Sequence, residues 1–284
     1  MIPQEFEYAA PKTLDEAISA IADGEAKPLA GGMSLIPMMK LRMAIPEKLI
    51  DLGRIRGLDH IHESDGALHI GATATHHAVE SSELVKAKCP LLATTAGWIG
   101  DVQVRNRGTM GGSVAHADPA ADYPAALQAL EAKIVLKGAA EERSMSADDF
   151  FIDTFMTALE PGEIVREVIV PVEPAGTGTS YKKMLQPASG FAIVGVAVRV
   201  RKQGGTIDFA RIGVTGLSNR AYRAKDAEDA LLATMGSPID VEAAAALVAK
   251  GVDANADLHA SAEYRAHLAK VYTARAIQEA LGQI

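Results

Sequence analysis

Residues 27–34 of the chain read KPLAGGMS, and residues 103–113 read QVRNRGTMGGS. Each segment carries a diglycine with a serine just beyond it. Glycine leaves the backbone N–H groups unshielded, and clustered N–H groups bind anions such as a pyrophosphate. A single diglycine is more simply explained as a tight turn at positive φ. Two such segments make an anion site the hypothesis to test, with turns as the alternative.

Helices and strands are predicted around both glycine segments. Thr13 and Glu16 have the spacing of a capping box, which predicts a helix that ends before Gly24. A strand over 27–30 and a helix over 35–41 then enclose the first diglycine, whereas the second is predicted as a loop. Further strands are predicted at 49–52, 67–71, 133–137 and 163–172, and further helices at 90–99 and 122–130.

The last third of the chain has a different pattern. Breakers at 176–178, after two prolines, predict a domain boundary that divides the chain into residues 1–175 and 176–284. Three strands follow, two of them joined through Gly204-Gly205 as in a hairpin, and then three helices. The strands are predicted at 180–185, 191–201 and 206–217, and the helices at 224–235, 241–250 and 262–281. The pattern is typical of an α+β protein.

Composition excludes several classes of protein. The formal charge of −8 comes with no long basic run, so nucleic acid is not an expected partner. Neither glycine segment has the spacing of a nucleoside-triphosphate loop. Cys89 is the only cysteine, so the chain cannot by itself hold an iron–sulfur cluster. His76-His77 has no carboxylate or cysteine partner at ligand spacing, and Trp98 is expected in the core. Without a leader-like start or a long apolar run, we expect a cytoplasmic chain, at most loosely associated with the inner face of the membrane.

The two glycine segments, in this order and spacing, resemble the two FAD loops of medium subunits of molybdenum hydroxylases such as carbon monoxide dehydrogenase. Residues 117–124, ADPAADYP, are similar to the segment that follows the second loop. The resemblance continues through residues 161–165, 181–184 and 191–195, and so covers nearly the whole chain. Met110 stands where that family usually has isoleucine, which has a similar apolar volume.

The resemblance implies a fold and a cofactor. The fold is a two-part FAD-binding domain of the vanillyl-alcohol oxidase type, followed by a domain with a three-stranded sheet packed on three helices. The cofactor is FAD, held without a covalent bond. The residues that the resemblance places at FAD are Lys27, Pro28, Leu29, Ala30, Gly31, Gly32, Met33, Ser34, Ile99, Gly100, Gly108, Thr109, Met110, Gly111, Gly112, Ser113, Asp122, Val165, Lys183 and Phe191.

The implied roles differ along that set. The two loops would bind the diphosphate, while Ile99, Gly100 and the backbone of Val165 would lie near the isoalloxazine. Asp122 would accept hydrogen bonds from ribityl or ribose hydroxyls, with a helix cap as the alternative. Lys183, or Lys182 instead, would place a cation near the ring. Phe191 would cover the ring, with a core position as the alternative.

The resemblance also implies partners, because the molybdopterin cofactor and the [2Fe-2S] clusters of such enzymes belong to other chains. A large molybdenum subunit and a small iron–sulfur subunit are expected, assembled as a dimer of heterotrimers, with an external acceptor such as a quinone. Carbon monoxide, an aldehyde and an N-heterocycle all stay open as substrates of the large subunit. Two alternatives are a free-standing FAD-dependent reductase or oxidase of the same fold, and a non-catalytic FAD-binding scaffold.

Overall fold

The computed structural model describes residues 2–22 and 24–284. Its N-terminal part is a parallel sheet in the order β1-β3-β2. The Thr13 hydroxyl accepts a hydrogen bond from the Glu16 N–H at the start of the first helix, as predicted, but the Glu16 carboxylate accepts from Lys12 N–H. The first strand was not predicted. The elements are β1 Glu7–Ala9, α1 Leu14–Ile21, β2 Ala26–Leu29, α2 Leu35–Lys40 and β3 Lys48–Asp51.

The middle part is an antiparallel sheet in the order β4-β5-β10-β6-β7, surrounded by helices. At its centre Val168 pairs with Ile70 on one side and Ile134 on the other, and all three side chains are fully buried. The strands are β4 Ile61–Ser64, β5 Ala67–Gly71, β6 Lys133–Lys137, β7 Glu142–Ser146, β8 Phe151–Asp153, β9 Met156–Thr157 and β10 Ile164–Pro171. The helices are α3 His76–Ser81, α4 Glu83–Lys88, α5 Pro90–Gly97, α6 Val102–Arg105, α7 Met110–His116, α8 Asp122–Ala129 and α9 Ala147–Phe150.

The C-terminal part confirms the predicted three strands and three helices. Gly204 and Gly205, at φ +61° and +88°, turn the chain between two long strands, as in a hairpin. A two-residue strand that was not predicted adds an edge to the sheet. The elements are β11 Thr177–Leu185, β12 Ala192–Gln203, β13 Thr206–Thr215, β14 Tyr222–Arg223, α10 Lys225–Leu231, α11 Pro238–Ala245 and α12 Ala262–Leu281.

The C-terminal sheet is covered on both faces. A Cβ on Gly213 would lie 1.9 Å from the carbonyl oxygen of Ala125, so β13 packs directly on the backbone of α8. A Cβ on Gly178 would lie 1.9 Å from the carbonyl oxygen of Ala280, so β11 packs directly on α12. Successive side chains of a strand point to opposite faces. Alternate residues of β11 therefore face α12 on one side, and α5 with Asp122 at the start of α8 on the other.

Candidate cofactor site

A cavity of about 1150 Å³ lies where the N-terminal, middle and C-terminal parts meet. Its volume exceeds the range of about 300–1,000 Å³ that is usual for small-molecule pockets. Both glycine segments line it. Of the residues that the sequence placed at FAD, all line this cavity except Met110 and Lys183, which are buried behind its wall.

The first glycine loop connects β2 to α2 and contacts the second loop directly. A Cβ on Gly31 would lie 2.0 Å from the carbonyl oxygen of Arg107, so only glycine permits this approach. Gly32 adopts φ +74°. Ser34 precedes α2, but its hydroxyl makes no capping hydrogen bond. Within the part of the chain that the structure describes, the N–H groups of residues 31–34 have no acceptor.

The second glycine loop is not a loop, which corrects the prediction from sequence. Its diglycine belongs to the first turn of α7, and Thr109 caps that helix by accepting from the Gly112 N–H at 3.1 Å. Backbone N–H groups of Met110 and Gly111 donate to carbonyls of residues 74 and 72 at 2.9 and 2.8 Å. The Ser113 N–H donates to the Thr109 carbonyl. The N–H groups expected to be unshielded here are therefore used within the chain.

The turn over 98–100 lies at one side of the cavity and is held by two cations. Lys183 Nζ donates to the Trp98 carbonyl at 2.9 Å, and Arg105 Nη1 donates to the Ile99 carbonyl at 3.1 Å. Trp98 is 39% exposed, so its expected core position was wrong. Phe191 is 41% exposed at the cavity wall, so the core alternative for it was also wrong.

Asp122 is bound by two side chains of β11. Lys183 Nζ lies 2.9 and 3.0 Å from its two carboxylate oxygens, and the Tyr181 hydroxyl donates to one of them at 2.5 Å. Burial raises the pKa of Asp122 to about 6, although Lys183 and Tyr181 both oppose that shift. Ala121 is the residue that precedes α8, and the Asp122 side chain forms no cap. The helix-cap alternative was therefore wrong.

The two neighbouring lysines separate because they lie on opposite faces of β11. Lys183 has a side chain that is fully buried against Asp122. Lys182 is half-buried on the other face and pairs with Glu279 of α12 at 2.7 Å. Of the two, Lys183 is the lysine beside the cavity.

His76 lines the cavity and was not predicted as a cofactor residue. It is 4% exposed, and burial lowers its pKa to about 4, with a smaller contribution from the charge of Arg105. A Cβ on Gly108 would lie 2.5 Å from Nε2 of His76, so the imidazole ring packs directly against Gly108 of the second segment. In the sequence, the His76-His77 pair suggested only a metal site, and the neutral buried state of His76 was missed.

Other missed residues form an apolar rim. Met38, Met43 and Ile45 line the cavity, and Met43 and Ile45 are exposed. The helix prediction over 35–41 included only Met38, because Met43 and Ile45 lie beyond the helix, after a turn in which the Met43 N–H donates to the Met38 carbonyl at 2.9 Å.

Comparison with known proteins agrees with this geometry. Residues 4–173 match the FAD binding domain in molybdopterin dehydrogenase, and residues 179–280 match the CO dehydrogenase flavoprotein C-terminal domain. The chain belongs to this family of FAD-binding subunits. Family members are oxidoreductase flavoproteins, and the fold expected from the resemblance is confirmed.

Two relatives in the family match over nearly their whole length. The chain is 42% identical to the carbon monoxide dehydrogenase medium chain of Hydrogenophaga pseudoflava, covering 99% of this chain and 98% of that one. It is 36% identical to the glyceraldehyde dehydrogenase medium chain of Sulfolobus acidocaldarius, covering 98% and 99%. The solved carbon monoxide dehydrogenase from Hydrogenophaga pseudoflava that lacks the Mo-pyranopterin moiety superposes with a TM-score of 0.97 at 44% identity, covering 100% of this chain and 99% of that one.

The residues present fit FAD, the cofactor of the family. The N–H donors of residues 31–34 have no acceptor of their own among the described residues, which suits a diphosphate. Gly112 lines the cavity, and only the Thr109 hydroxyl and the Ala30 methyl lie within 4 Å of the position that its Cβ would take. Among residues 2–22 and 24–284, no helix has the length and apolar character needed to span a membrane.

Proposed function

We propose that this chain is the FAD-carrying subunit of a heteromeric molybdenum hydroxylase that passes substrate electrons to an external acceptor such as a quinone. The observation that carries the proposal is the contact between Gly31 and the Arg107 carbonyl, which joins two distant glycine segments around one large cavity. The full-length match to medium chains supports the same assignment. Residues 1–175 would form the FAD-binding domain and residues 176–284 the C-terminal domain.

Roles for the cavity residues follow from what each can still donate or accept. The N–H groups of residues 31–34 would bind the diphosphate, with the hydroxyls of Ser34, Thr109 and Ser113 as further donors. Asp122 would accept from ribityl or ribose hydroxyls. Ile99, Gly100, Val165 and Phe191 would lie against the isoalloxazine. When bound, FAD supplies the ability to take electrons singly and release them in pairs.

The remaining redox centres would belong to other chains. Cys89 is the only thiol, it is fully buried, and burial raises its pKa to about 12, so it is no cluster ligand. A small subunit with two [2Fe-2S] clusters and a large molybdenum subunit would complete the path, assembled as a dimer of heterotrimers. Trp98, Val102 and Phe191 are exposed around the 98–100 turn. That surface is the one proposed to face the small subunit.

The test is purification of this chain from its native host, followed by metal analysis and substrate-driven bleaching of the flavin spectrum. We expect co-purification with molybdenum and iron subunits, and complete release of FAD on acid precipitation. Carbon monoxide, aldehydes and N-heterocycles should be assayed as substrates, since relatives include dehydrogenases of carbon monoxide and glyceraldehyde and a nicotine hydroxylase. A chain that purifies alone with FAD and oxidises a substrate without molybdenum or iron supports the free-standing flavoenzyme instead.

Localisation belongs to the same proposal. We place the complex in the cytoplasm, where it could associate loosely with the inner face of the membrane to reach a quinone. Fractionation of native cells tests this, and flavin complex recovered only from outside the cytoplasm contradicts it.

A further inference from the structure

Three side chains from distant parts of the sequence form one buried cluster beside the cavity. Asp122, Tyr181 and Lys183 are 4%, 2% and 5% exposed. Lys183 also binds the Trp98 carbonyl at 2.9 Å, so the cluster reaches the 98–100 turn. It thus ties two parts of the cavity wall to the C-terminal sheet.

The cluster depends on the strand geometry of the C-terminal part. Tyr181 and Lys183 are two residues apart on β11 and so share the face that packs on α5 and on Asp122 at the start of α8. A Cβ on Gly195 of the neighbouring β12 would lie 2.5 Å from the Tyr181 hydroxyl oxygen. A glycine at this position leaves room for the phenol to reach Asp122.

The carboxylate of the cluster is the group that faces the cavity. Asp122 lines the cavity, whereas Lys183 and Tyr181 do not. A buried carboxylate is stable as an anion only when it is paired and hydrogen-bonded. The two β11 side chains supply those partners from behind the wall.

We propose that Tyr181 and Lys183 are positioning residues, which hold Asp122 as an oriented carboxylate at the ribityl chain, next to the flavin ring, and so let the C-terminal domain set the flavin reduction potential. The inference rests on the proposed function, because it requires FAD in this cavity. A fixed anion beside the flavin opposes the addition of electrons and lowers the reduction potential. Loss of that charge makes the flavin easier to reduce.

The charged and titratable groups around Asp122 are Lys183 and Tyr181 on β11, Asp118 on the segment before α8, and Tyr123, the next residue of α8. Lys183 and the Tyr181 hydroxyl lower the pKa of Asp122, whereas burial and Asp118 raise it, to about 6 in balance. Removing the Tyr181 hydroxyl therefore raises this pKa further. Asp122 would then be protonated over a range of pH in which the wild-type carboxylate is ionised.

The experiment measures the flavin reduction potential against pH in the full chain, purified with the subunits that accompany it. Tyr181→Phe is the test variant because it removes one hydroxyl and keeps the ring that packs over Gly195. We expect its potential to be more positive than the wild-type value near neutral pH, and equal to it at high pH where Asp122 is ionised in both. Lys183→Met should raise the FAD dissociation constant by about tenfold or more.

Lys182→Met is the matched control, since this lysine is the next residue and faces α12. It should leave both the potential and the FAD affinity unchanged. If Tyr181→Phe has the wild-type potential at every pH, the proposal is overturned, and the same holds if Lys182→Met shifts the potential as much. A wild-type chain without FAD would instead overturn the proposed function.

Discussion

The two glycine segments look alike in sequence but differ in how their backbone N–H groups are hydrogen-bonded. In the first, the N–H groups of residues 31–34 have no acceptor within the described chain, and Gly32 is in the left-handed region at φ +74°. In the second, the N–H groups of residues 110–113 are all bonded within the chain, in the first turn of a helix. The first segment keeps N–H donors that suit an anion, whereas the second uses its N–H donors within the chain.

The four glycines of the two segments differ in the atoms that an added Cβ would contact. Gly31 faces the Arg107 carbonyl and Gly111 faces Ala72 Cβ at 2.5 Å, so both permit contact between backbones. Gly32 provides a backbone conformation that costs other residues free energy. A Cβ on Gly112 would meet only the Thr109 hydroxyl at 2.8 Å and the Ala30 methyl at 3.9 Å. Substitutions at these positions should therefore have graded effects on stability.

Gly31→Ala should have the largest effect. Its Cβ would lie 2.0 Å from a backbone oxygen, which no side-chain rotation can relieve, so the two segments must separate. We expect a loss of about 3 kcal/mol or more in the free energy of unfolding, together with loss of FAD. Urea unfolding of the apoprotein and flavin content measure the two. Stability equal to that of Gly112→Ala would show that the segments are not in contact.

The contribution of His76, which packs against Gly108 of the second segment, to the free energy of unfolding should depend on pH. The pKa of His76 falls from 6.5 in the unfolded chain to about 4 in the folded one, so its contribution to stability is present above pH 6.5 and is lost as pH falls through 4. That loss is worth about 3 kcal/mol. The pKa of Asp122 is raised from 3.8 to about 6, so its contribution is present below pH 3.8 and is lost as pH rises through 6. The two groups oppose each other in the same interval.

Comparing the stability of wild type with that of a His76 variant separates the contribution of His76 from that of Asp122. The free energy of unfolding of wild type, relative to His76→Gln, should fall by about 3 kcal/mol between pH 7 and pH 4. His77→Gln is the matched control because its side chain is the next along the chain and is 55% exposed. Parallel stability curves for wild type and His76→Gln would contradict the assignment of a buried neutral imidazole.

Much of the fold could be predicted from sequence, because local patterns determine it. Strands β5 and β6 and helix α12 have the predicted bounds, because alternation, an apolar run or helical periodicity is visible within each of them. The edge strands β1 and β4 were missed because their sequences, EYA and IHES, show neither an apolar run nor regular alternation. Helix α7 was missed because Gly111-Gly112 favours a turn, and its packing against Ala72 overrides that preference.

The site also has a part that could be predicted from sequence and a part that could not. Part of the cavity wall was named through a family resemblance, and of the residues so named the structure places all except Met110 and Lys183 on the wall. The contacts of Gly31 with Arg107 and of Asp122 with Lys183 join residues far apart in the chain. No local pattern encodes such contacts. The neutral state of His76 likewise depends on burial, which only the folded chain provides.

Gly32→Ala should have an intermediate effect. A left-handed φ costs a non-glycine residue about 1–2 kcal/mol, and the nearest atom to the new Cβ is the flexible end of Ile36 at 2.6 Å. Gly57→Ala is the control that isolates the backbone cost, because Gly57 has φ +77° and no atom within 4 Å of its Cβ position. Urea midpoints of the two variants should fall by similar amounts. A much larger fall for Gly32→Ala would mean that Ile36 cannot move aside.

Gly112→Val should have the smallest effect on stability and a large effect on FAD. Gly112 is not in the left-handed region, and the one close neighbour of its Cβ is the capping hydroxyl of Thr109, so we expect a change of about 1 kcal/mol or less. The added methyl groups would extend from a residue that lines the cavity and would occupy space proposed for the diphosphate.

Gly53→Val is the matched control for this last substitution. The Cβ of Gly53 would also meet its own capping side chain, Asp51 Oδ1 at 3.1 Å, and Gly53 does not line the cavity. Equilibrium dialysis with FAD should show wild-type affinity in Gly53→Val and a loss of at least about tenfold in Gly112→Val, at matched urea midpoints. A folded Gly112→Val that binds FAD as wild type does would place the diphosphate on the first segment alone. The N–H groups of residues 110–113 already donate within the chain. The second segment would then contribute to FAD binding only indirectly, through the Arg107 carbonyl against which Gly31 packs.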